Sequence, residues 1–424
     1  MHDIRLVREQ AAALRSAMER RGVLGQLEPV IARLETLDRE RRLAIQATEE
    51  RKAARNAASQ EVGRRRKAGE DAADLQAQTR ALGEEIARLE AELQVTESAI
   101  QQGLYEIPNV TLPEVPAGDE SQNRVVRTWG TPREAVGVKP HWEVGDALGL
   151  IDIPRGAKIS GSGFIVFRGV GARMVRAFMN FMLDLHTREH GYEECWVPAV
   201  VNRASMTGTG QLPKFEDDMY RLDDDQGYLI PTAEVPVTNL HRDEILDGAQ
   251  LPMAMCAYSP CFRREAGAAG KDTRGLLRVH QFDKVELVRY CAPADGAAQL
   301  ELLTGHAEAV LQLLGLPYRV VLLAAGDTGF SSAMTYDLEV FAPGVGKWLE
   351  VSSCSLFGDY QARRANIRFR AAPGEKPQHV YTLNGSGLAF PRVFAAILEH
   401  YQRPDGAVVV PDALRPYVGL DVLS

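Results

Sequence analysis

The segment CFRREAGAAGKDTRGLLRVHQFDKVELV runs from Cys261 to Val288 and places ten charged side chains and three glycines between two apolar stretches. The apolar stretches predict strands, and the loop GAAGKDTRG between them contains glycines that permit a reversal of the chain. Arg263 and Glu265 are two residues apart, so on a strand their side chains point to the same face. The segment therefore predicts a strand-loop-strand hairpin with a basic loop.

The charged side chains of this hairpin, taken together, suit a nucleotide. Beyond the loop, a shared parity predicts one common face for Arg278, His280, Phe282, Lys284 and Glu286. Arginine can hold phosphate oxygens bidentately, an aromatic ring can stack on a base, and a carboxylate can accept from an exocyclic amine. A salt-bridged surface hairpin is the alternative for each charge taken singly. The loop does not match a P-loop, because only two residues separate Gly267 from Gly270.

Composition excludes several classes of protein. The chain has 424 residues, is 45% hydrophobic and carries a formal net charge of −8. No apolar run approaches the roughly 20 residues that span a bilayer, and the N-terminus MHDIRLVREQ lacks the apolar core of a signal peptide. We therefore expect a cytoplasmic protein without membrane association, whose binding to nucleic acid would depend on a local basic patch. Five cysteines without a CxxC pair predict reduced thiols and no zinc site.

The N-terminal quarter of the chain predicts a helical hairpin. From Leu27 to Gln102 the composition is rich in Ala, Glu, Arg, Leu and Gln, without a proline after Pro29. The second half carries a heptad seam formed by Leu75, Thr79, Leu82, Ile86, Leu89, Leu93, Thr96 and Ile100. A weaker seam in the first half comprises Val30, Leu34, Leu37, Arg41, Ala44 and Thr48. Gly63 and Gly69 allow a reversal, so we expect two antiparallel helices joined at about residues 63–70.

Charge is distributed unevenly along this hairpin. Arg39 to Lys67 contains ten basic and four acidic residues, whereas Glu70 to Glu97 contains eight acidic and two basic residues. Charged runs on a coiled coil are usually solvated faces with pairing between the helices. A basic arm that binds a polyanion is the alternative, and composition does not choose between the two.

A change of pattern separates this region from the rest of the chain. The segment YEIPNVTLPEVPAGDE contains three prolines and predicts a linker. We therefore expect an N-terminal domain at 1–110, with its coiled-coil arm at about 27–102, and a second domain at 111–424. The second domain mixes helical segments, such as Ala172 to Gly191, with strand-like runs such as YRVVLLAA. This mixture favours an α+β domain with a largely antiparallel β-sheet flanked by helices.

Three further segments supply polar groups that suit the same ligand. WLEVSSCS places Glu350 and Ser352 on one face of a strand with Ser353 next, as hard oxygen donors for Mg²⁺ bound with a nucleoside triphosphate. TLNGSGLAFPRVFAAILEHYQ places Arg392 near the first turn of a helix, where a phosphate would also meet the helix dipole. IPTAEVPVTN adds the Thr232 hydroxyl and the Glu234 carboxylate.

These motifs together resemble a known family. HGYEECWVP, FRRE followed by RVHQF, and GSGLAFPR are similar to motifs 1, 2 and 3 of class II aminoacyl-tRNA synthetases. More narrowly, PTAEVPVTN, EAGAAGKDTRGLLRVHQFDKVEL, EVSSCS, QARRANIRFR and TLNGSGLA resemble the seryl-tRNA synthetases of bacterial type. The resemblance covers nearly the whole chain, including the helical arm. One departure is Phe390-Pro391 before Arg392, where the family usually has a small residue.

The resemblance implies a reaction and a set of residues. L-serine would react with ATP to give seryl-adenylate, and the seryl group would pass to the 3′ end of tRNA(Ser), and of tRNA(Sec) where present. Arg263 and Arg392 are the implied catalytic residues. The implied serine-binding residues are Thr232, Ala233, Glu234, Arg263, Glu286 and Ser386. The implied ATP-binding residues are Arg263, Arg264, Glu265, Val279, Phe282, Glu350, Val351, Ser352, Ser353 and Arg392, of which Glu350 and Ser353 would also hold Mg²⁺.

The resemblance also implies macromolecular partners. The arm would grip tRNA, with Arg64, Arg65 and Arg66 near its tip as the candidate contacts. A homodimer is expected from the segment 172–198, where a helix with the apolar stripe Met174, Phe178, Phe181 and Met182 precedes a strand that ends in proline, as in class II dimer interfaces. A position in the core is the alternative for the stripe. One rival hypothesis is an enzyme of the same fold that delivers an amino acid to a carrier protein or metabolite, which would have no use for the arm. The other is a non-catalytic RNA-binding protein, which would not need the full set of site residues.

Overall fold

The computed structural model describes residues 1–223, 226–266 and 274–424. Residues 267–273, most of the expected basic loop GAAGKDTRG, lie outside the described residues. The chain divides into two compact units, Met1–Pro108 and Asn109–Ser424. Among the described helices, none combines the length and the apolar character that crossing a membrane requires.

The first unit consists of helices. They are α1 (Ile4–Glu9), α2 (Ala11–Arg20), α3 (Leu24–Lys67) and α4 (Ala73–Glu106). α3 and α4 pack against each other and form the arm. Arg41 pairs with Glu97 at 2.9 Å and Arg51 with Glu85 at 3.0 Å, so the two helices run antiparallel. The predicted helical hairpin is confirmed.

The heptad seam of α4 packs as its spacing predicts, but the turn is shorter than expected. All eight seam residues are buried or half-buried, whereas positions between them, such as Glu84 and Ala91, are exposed. α3 continues through Gly63 as far as Lys67, and the chain reverses over residues 68–72. Gly69 adopts a φ of +76° there, a conformation open to glycine because it has no Cβ. Gly63 is an exposed residue of the helix and takes no part in the reversal.

The second unit is built around a large sheet. In chain order its strands are β1 (Arg124–Trp129), β2 (Ile151–Asp152), β3 (Val166–Phe167), β4 (Glu193–Glu194), β5 (Val200–Val201), β6 (Tyr228–Leu229), β7 (Ile245–Asp247), β8 (Met253–Phe262), β9 (Gln281–Cys291), β10 (Tyr318–Leu322), β11 (Met334–Ala342), β12 (Lys347–Gly358), β13 (Arg368–Arg370), β14 (Gln378–His379), β15 (Tyr381–Ala389), β16 (Val408–Val409) and β17 (Val422–Leu423). Eight of them form one sheet in the order β1-β10-β11-β12-β15-β9-β8-β4. Neighbours in this sheet are antiparallel except β4 and β8, which run parallel, so the expected α+β class is confirmed.

Helices cover this sheet and build its core. They are α5 (His141–Ala147), α6 (Ile153–Ser160), α7 (Val170–Arg188), α8 (Arg203–Thr209), α9 (Glu234–Thr238), α10 (Gly296–Leu313), α11 (Tyr360–Ala365), α12 (Phe390–His400) and α13 (Arg415–Val418). Apolar side chains of α7, α10 and α12 pack with the central strands in a single hydrophobic core. The stripe Met174, Phe178, Phe181 and Met182 on α7 is buried within that core. The stripe therefore stabilises the fold of the chain itself, and it is not an exposed subunit interface.

Candidate active site

Two cavities lie over the neighbouring strands β12, β15, β9 and β8. The carboxylate cavity, with a volume of about 330 Å³, is lined by residues that include Thr232, Glu234, Ser353 and Asn384. The aromatic cavity is lined by residues that include Glu265, Val279, Phe282, Val351 and Arg392. Both cavities share the side chains of Arg263, Lys284, Glu350 and Ser386, which we call the junction. A ligand that filled both cavities would therefore pass between two cations and a carboxylate.

A closed hydrogen-bond network holds the buried Glu286 behind the carboxylate cavity. The Thr232 hydroxyl accepts from the backbone N–H of Glu234 at 3.1 Å and donates to Glu286 Oε2 at 3.0 Å. Asn384 Nδ2 donates to Glu286 Oε1 at 2.9 Å. Lys284 Nζ donates to the Thr232 hydroxyl at 3.0 Å and contacts Glu286 Oε2 directly. A buried carboxylate is stable only with such partners, so this network fixes its position.

Glu234 is a second buried carboxylate, and it faces the carboxylate cavity. Its Oε1 accepts from Gln361 Nε2 at 2.6 Å, and the Thr382 hydroxyl donates to Gln361 Oε1 at 2.8 Å. Burial, and then the neighbouring Glu286 carboxylate, raise the pKa of Glu234 to about 7. Near neutral pH this carboxyl is therefore poised between its two forms, and an arriving cation would favour the ionised form.

Arg263 lies where the two cavities meet. It follows the last residue of β8, and its backbone N–H donates to the His280 carbonyl at 2.9 Å. Its Nε donates to the Pro231 carbonyl at 3.3 Å, and its guanidinium lies 5.2 Å from the ring centroid of Phe282. These contacts aim the guanidinium along the boundary between the cavities, where it can reach anions on both sides.

Arg392 closes the far side of the aromatic cavity. Its guanidinium donates to the backbone carbonyls of Leu277 at 3.1 Å and Glu350 at 2.8 Å, and it lies 3.3 Å from the Glu350 carboxylate. Phe390 is buried in the core, and Pro391 lies in the first turn of α12, where no backbone N–H is needed. The unusual Phe390-Pro391 pair therefore leaves Arg392 in the cavity.

The hairpin segment reaches the site by a turn, and the expected strand alternation does not apply there. β8 ends at Phe262 and β9 begins at Gln281, so Arg263, Glu265 and Arg278 lie outside the strands. Glu265 has a φ of +52°, in the left-handed region, and its carboxylate pairs with Arg278 at 3.3 Å. A local turn brings these charges to the aromatic cavity, and the alternation of side chains along a strand does not predict such a turn.

A bulge in β12 corrects the expected face of the serine-rich strand. Glu350 and Ser352 pair with consecutive residues of β11, so Val351 is the extra residue of a β-bulge. The bulge shifts the alternation, and Glu350 lines the carboxylate cavity together with Ser353. The Ser352 hydroxyl donates instead to the Ser386 carbonyl at 2.7 Å. Ser352 was expected on the face of Glu350, and that expectation is wrong.

Oxygen donors on β11 and β12 fit a magnesium ion that would bind together with phosphates. Glu350 and Ser353 line one cavity, and Asp337 lies opposite Ser353 across β11 and β12. Asp337 is buried, and its Oδ1 has no hydrogen-bond partner in the described part of the chain. Burial, and then the Glu350 carboxylate, raise the pKa of Asp337 well above its usual range. Mg²⁺ usually keeps several waters and phosphate oxygens as ligands, so it needs only one or two carboxylates from the protein.

Several sequence-predicted residues lie outside the two cavities. Ala233 is buried before α9, Arg264 is exposed, and Glu286 and Ser352 lie behind the lining residues. Lys284, Asn384 and Gln361 are contacts that the motif analysis did not assign. Lys284 shares strand parity with Phe282 and Glu286, which was a usable signal. No sequence pattern indicated Gln361, because its hydrogen bond to Glu234 joins two segments that are far apart in the chain.

The arm presents its charges differently from the site. Lys52 pairs with Glu90 at 3.1 Å and Arg65 with Asp74 at 3.2 Å, so part of the basic helix is neutralised by the acidic one. Arg64 pairs with Glu61 at 2.6 Å within α3. Arg66 is exposed, and no carboxylate of the described chain pairs with it. Pairing between helices therefore accounts for some of the basic residues and leaves others available at the tip.

Comparisons with known proteins cover both units. The family model of the seryl-tRNA synthetase N-terminal domain matches residues 1–111. The family model of the tRNA synthetase class II core domain (G, H, P, S and T) matches residues 214–401. The likeness therefore includes the arm as well as the strands that carry the site.

Full-length relatives and a solved structure agree with these models. A serine–tRNA ligase of Gemmatimonas aurantiaca is 65% identical over 425 residues, covering 100% of this chain and 100% of the relative. A serine–tRNA ligase of Pelotomaculum thermopropionicum is 54% identical over 421 residues, covering 99% of each. The crystal structure of seryl-tRNA synthetase from Pyrococcus horikoshii, complexed with ATP, superposes with a TM-score of 0.94 at 38% identity and covers 100% of this chain and 99% of that one.

Proposed function

The chain belongs to the seryl-tRNA synthetases of class II, and from that membership we infer how the two cavities divide the reaction. Enzymes of this family attach serine to tRNA(Ser) with the use of ATP, and this chain is such an enzyme. The observation that carries our assignment of roles is the junction, where Arg263 separates a cavity with a buried carboxylate from one lined by Phe282 and Arg392.

Serine binds in the carboxylate cavity. Glu234 and Thr232 receive its ammonium group, and the cation draws the Glu234 carboxyl into its ionised form. Glu286 and Ser386 recognise its hydroxyl, while Ala233 contributes backbone alone. A site that hydrogen-bonds a substrate hydroxyl rejects the analogue lacking it by roughly 10⁴-fold, because its polar groups would be stranded. Alanine is therefore excluded without an editing step.

ATP spans the junction with its adenine in the aromatic cavity. The Pyrococcus horikoshii relative was crystallised with ATP, which supports ATP as the ligand. Phe282 stacks on the base, and the Glu265 carboxylate accepts from its exocyclic amine. Arg392 holds the γ-phosphate, and Arg263 bridges the α-phosphate and the serine carboxylate. The remaining contacts along the nucleotide come from Val279, Glu350, Val351 and Ser353, whereas the predicted residues Arg264 and Ser352 lie outside the two cavities.

The first chemical step needs no nucleophilic side chain. A carboxylate oxygen of serine attacks the α-phosphorus, the bond to the β-phosphate oxygen breaks, and pyrophosphate leaves with the electron pair. The protein contributes by positioning the reactants and by placing cations where negative charge develops. Glu350 and Ser353 would hold a Mg²⁺ ion that arrives with ATP, and the ion would neutralise part of the charge of the triphosphate.

The second step transfers the seryl group to tRNA. The arm binds the tRNA through phosphate contacts that include the tip arginines Arg64, Arg65 and Arg66, so recognition there depends on shape and charge. tRNA(Sec), where an organism has it, is a further acceptor. Because tRNA charging serves protein synthesis, the proposed function implies a cytoplasmic location.

The enzyme acts as a homodimer through the β4 edge of the large sheet. β4 is one of the two edge strands of that sheet, and Trp196, close to it in the chain, is 80% exposed and lies 6.0 Å from the ring of Tyr258. A large exposed aromatic beside an unpaired edge is a typical interface feature. Light scattering at micromolar concentration should give the dimer mass, and Trp196→Arg should weaken the dimer. Val136→Arg, at an 89% exposed site, is the matched control. A stable wild-type monomer would contradict the assignment.

Serine-dependent exchange between pyrophosphate and ATP tests the proposed activity most directly. The wild-type enzyme should exchange with serine at least about 10⁴-fold more efficiently than with alanine. Threonine and glycine serve as size controls for the carboxylate cavity. Equal exchange with alanine would show that no buried polar groups recognise the hydroxyl.

A further inference from the structure

Lys284 is a buried cation at the point where the two cavities meet. It lies on β9, its residue is 6% exposed, and it lines both cavities. Only four residues of the described chain line both, and the other three, Arg263, Glu350 and Ser386, already have roles in the proposed function. The position of Lys284 therefore calls for a role in the same reaction.

The ammonium of Lys284 contacts the carboxylate that the proposed function assigns to the serine hydroxyl. It donates to the Thr232 hydroxyl at 3.0 Å and contacts Glu286 Oε2. Glu286 lines neither cavity, but three residues that contact its carboxylate do: Lys284 lines both cavities, and Thr232 and Asn384 line the carboxylate cavity. A serine hydroxyl that is to reach Glu286 therefore has to displace one of these contacts.

Charge at the junction identifies the contact that moves. The serine carboxylate and the triphosphate are both anionic, and they must approach each other between the cavities. Arg263 and Lys284 are the cations that line both cavities within the described residues. An ammonium is a compact charge on a flexible stem, so it can shift toward incoming anions more readily than the neutral Thr232 hydroxyl can.

We propose that Lys284 is a second catalytic cation, which leaves Glu286 when serine and ATP bind and contacts the serine carboxylate and the α-phosphate during adenylate formation. This inference rests on the proposed function of the two cavities. The attacking carboxylate oxygen forms its bond to the α-phosphorus, the bond to pyrophosphate breaks, and Lys284 keeps its proton throughout. The same shift uncovers Glu286 for the serine hydroxyl, so binding of ATP and recognition of serine become coupled.

A purely structural role for Lys284 is the alternative to be excluded. Removing Lys284 alone would leave the negative charge of the buried Glu286 less well neutralised. A loss of activity in that single variant could therefore arise from a disturbed Glu286. A double-mutant cycle separates the two explanations, because an effect transmitted through Glu286 disappears once Glu286 is neutral. Lys284→Gln combined with Glu286→Gln removes both charges together, so neither residue of the pair remains as a buried ion without its partner.

The experiment measures single-turnover formation of seryl-adenylate at saturating serine and ATP in four proteins: wild type, Lys284→Gln, Glu286→Gln and the double variant. Removal of a group that stabilises developing charge lowers the rate by about 100- to 1,000-fold. We expect the double variant to be slower than Glu286→Gln by a factor in this range. If the double variant matches Glu286→Gln, Lys284 acts only through Glu286 and the proposal is overturned.

A binding measurement provides a second readout. An ATP analogue that cannot react at the α-phosphate should increase the affinity of the wild-type enzyme for serine. The same analogue should not increase the serine affinity of Lys284→Gln. An equal gain in both proteins would also overturn the proposal. Absence of serine-dependent adenylate in the wild type would instead count against the proposed function, so the two failures are distinguishable.

Discussion

The arm and the candidate active site use charge in opposite ways. On the arm, the Lys52–Glu90 and Arg65–Asp74 pairs join partly exposed side chains of two helices. In the site, Glu234 and Glu286 are buried, and each is held by hydrogen bonds from neighbouring elements. Exposed pairs contribute about 0–1 kcal/mol each, whereas removing one partner of a buried charge pair costs about 3–5 kcal/mol.

This difference determines how each region should respond to substitution. The charges on the arm contribute to tRNA binding as a group, because each exposed residue adds little binding free energy and salt screens its charge. Each charged group in the site has its own role, because its position and its hydrogen-bond partners are fixed. Loss of one arm charge should therefore be mild, and loss of one site charge should be severe.

The most severe loss is expected for Arg263→Ala. It removes the cation that reaches both cavities, so adenylate formation should fall by at least about 100- to 1,000-fold with the fold intact. Pyrophosphate exchange measures the loss, and circular dichroism checks the fold. Arg403→Ala, an arginine of the exposed turn before β16, is the matched control and should retain wild-type exchange. Substantial exchange by a folded Arg263→Ala protein would break the contrast between the regions.

Deletion of the outer arm should separate the two steps of the reaction. Arg41 lies opposite Glu97 and Arg51 near Glu85, so residues 44 and 94 lie at about the same level of the hairpin. Removing residues 45–93 and joining the ends with a short glycine linker should leave serine-dependent exchange nearly unchanged. Charging of tRNA(Ser) should fall strongly through weaker tRNA binding. Full charging by the deletion protein would show that the arm is only a paired structural hairpin.

The buried Glu234 predicts a pH dependence that the arm should not show. Because its pKa is raised to about 7, the carboxyl is largely protonated at pH 6 and must ionise to receive the serine ammonium. Serine affinity should therefore rise with pH, by up to about tenfold per unit below pH 7, and level off above it. Calorimetric titrations from pH 5.5 to 8 would measure this rise. Glu234→Gln should bind weakly with a flat profile, and a flat profile in wild type would contradict the assignment.

The smallest effects are expected at the tip of the arm, and they should differ among neighbouring arginines. Arg66 is exposed without an ion pair in the described chain, whereas Arg64 is paired with Glu61. Arg66→Gln should weaken tRNA binding by a few fold and reduce its salt dependence by up to about one unit of slope. Arg64→Gln, the matched control, should change both less. An equal or larger effect at Arg64 would show that tRNA breaks its pair with Glu61.

Local patterns predicted much of this molecule. The heptad spacing predicted the arm, because an exposed two-helix hairpin buries only the seam that its own sequence provides. Contiguous motifs identified the family and therefore nominated Arg263, Glu265, Phe282 and Arg392, and the structure brings these residues to one pair of cavities. The roles of these residues stay predictions until the variants are measured.

Alternation along strands was a poorer guide within the site. It placed Ser352 beside Glu350, but the bulge at Val351 gives that position to Ser353. It placed Glu265 on a strand, but a left-handed turn positions its carboxylate. Bulges and turns depend on how neighbouring strands pair, and one strand's sequence does not contain that information.

The sequence by itself determined the helical arm, the class of the fold and the family, because periodicity and contiguous motifs are local properties of a chain. Only the tertiary structure decided which polar groups meet. Gln361 reaches Glu234 from a distant helix, and Lys284 covers Glu286 at the boundary of two cavities. Burial, which shifts the pKa of Glu234, also belongs to the folded chain as a whole. Contacts between residues far apart in the chain, and the exclusion of water, arise only when the helices and strands pack together. The spacing of residues along the sequence therefore does not predict them.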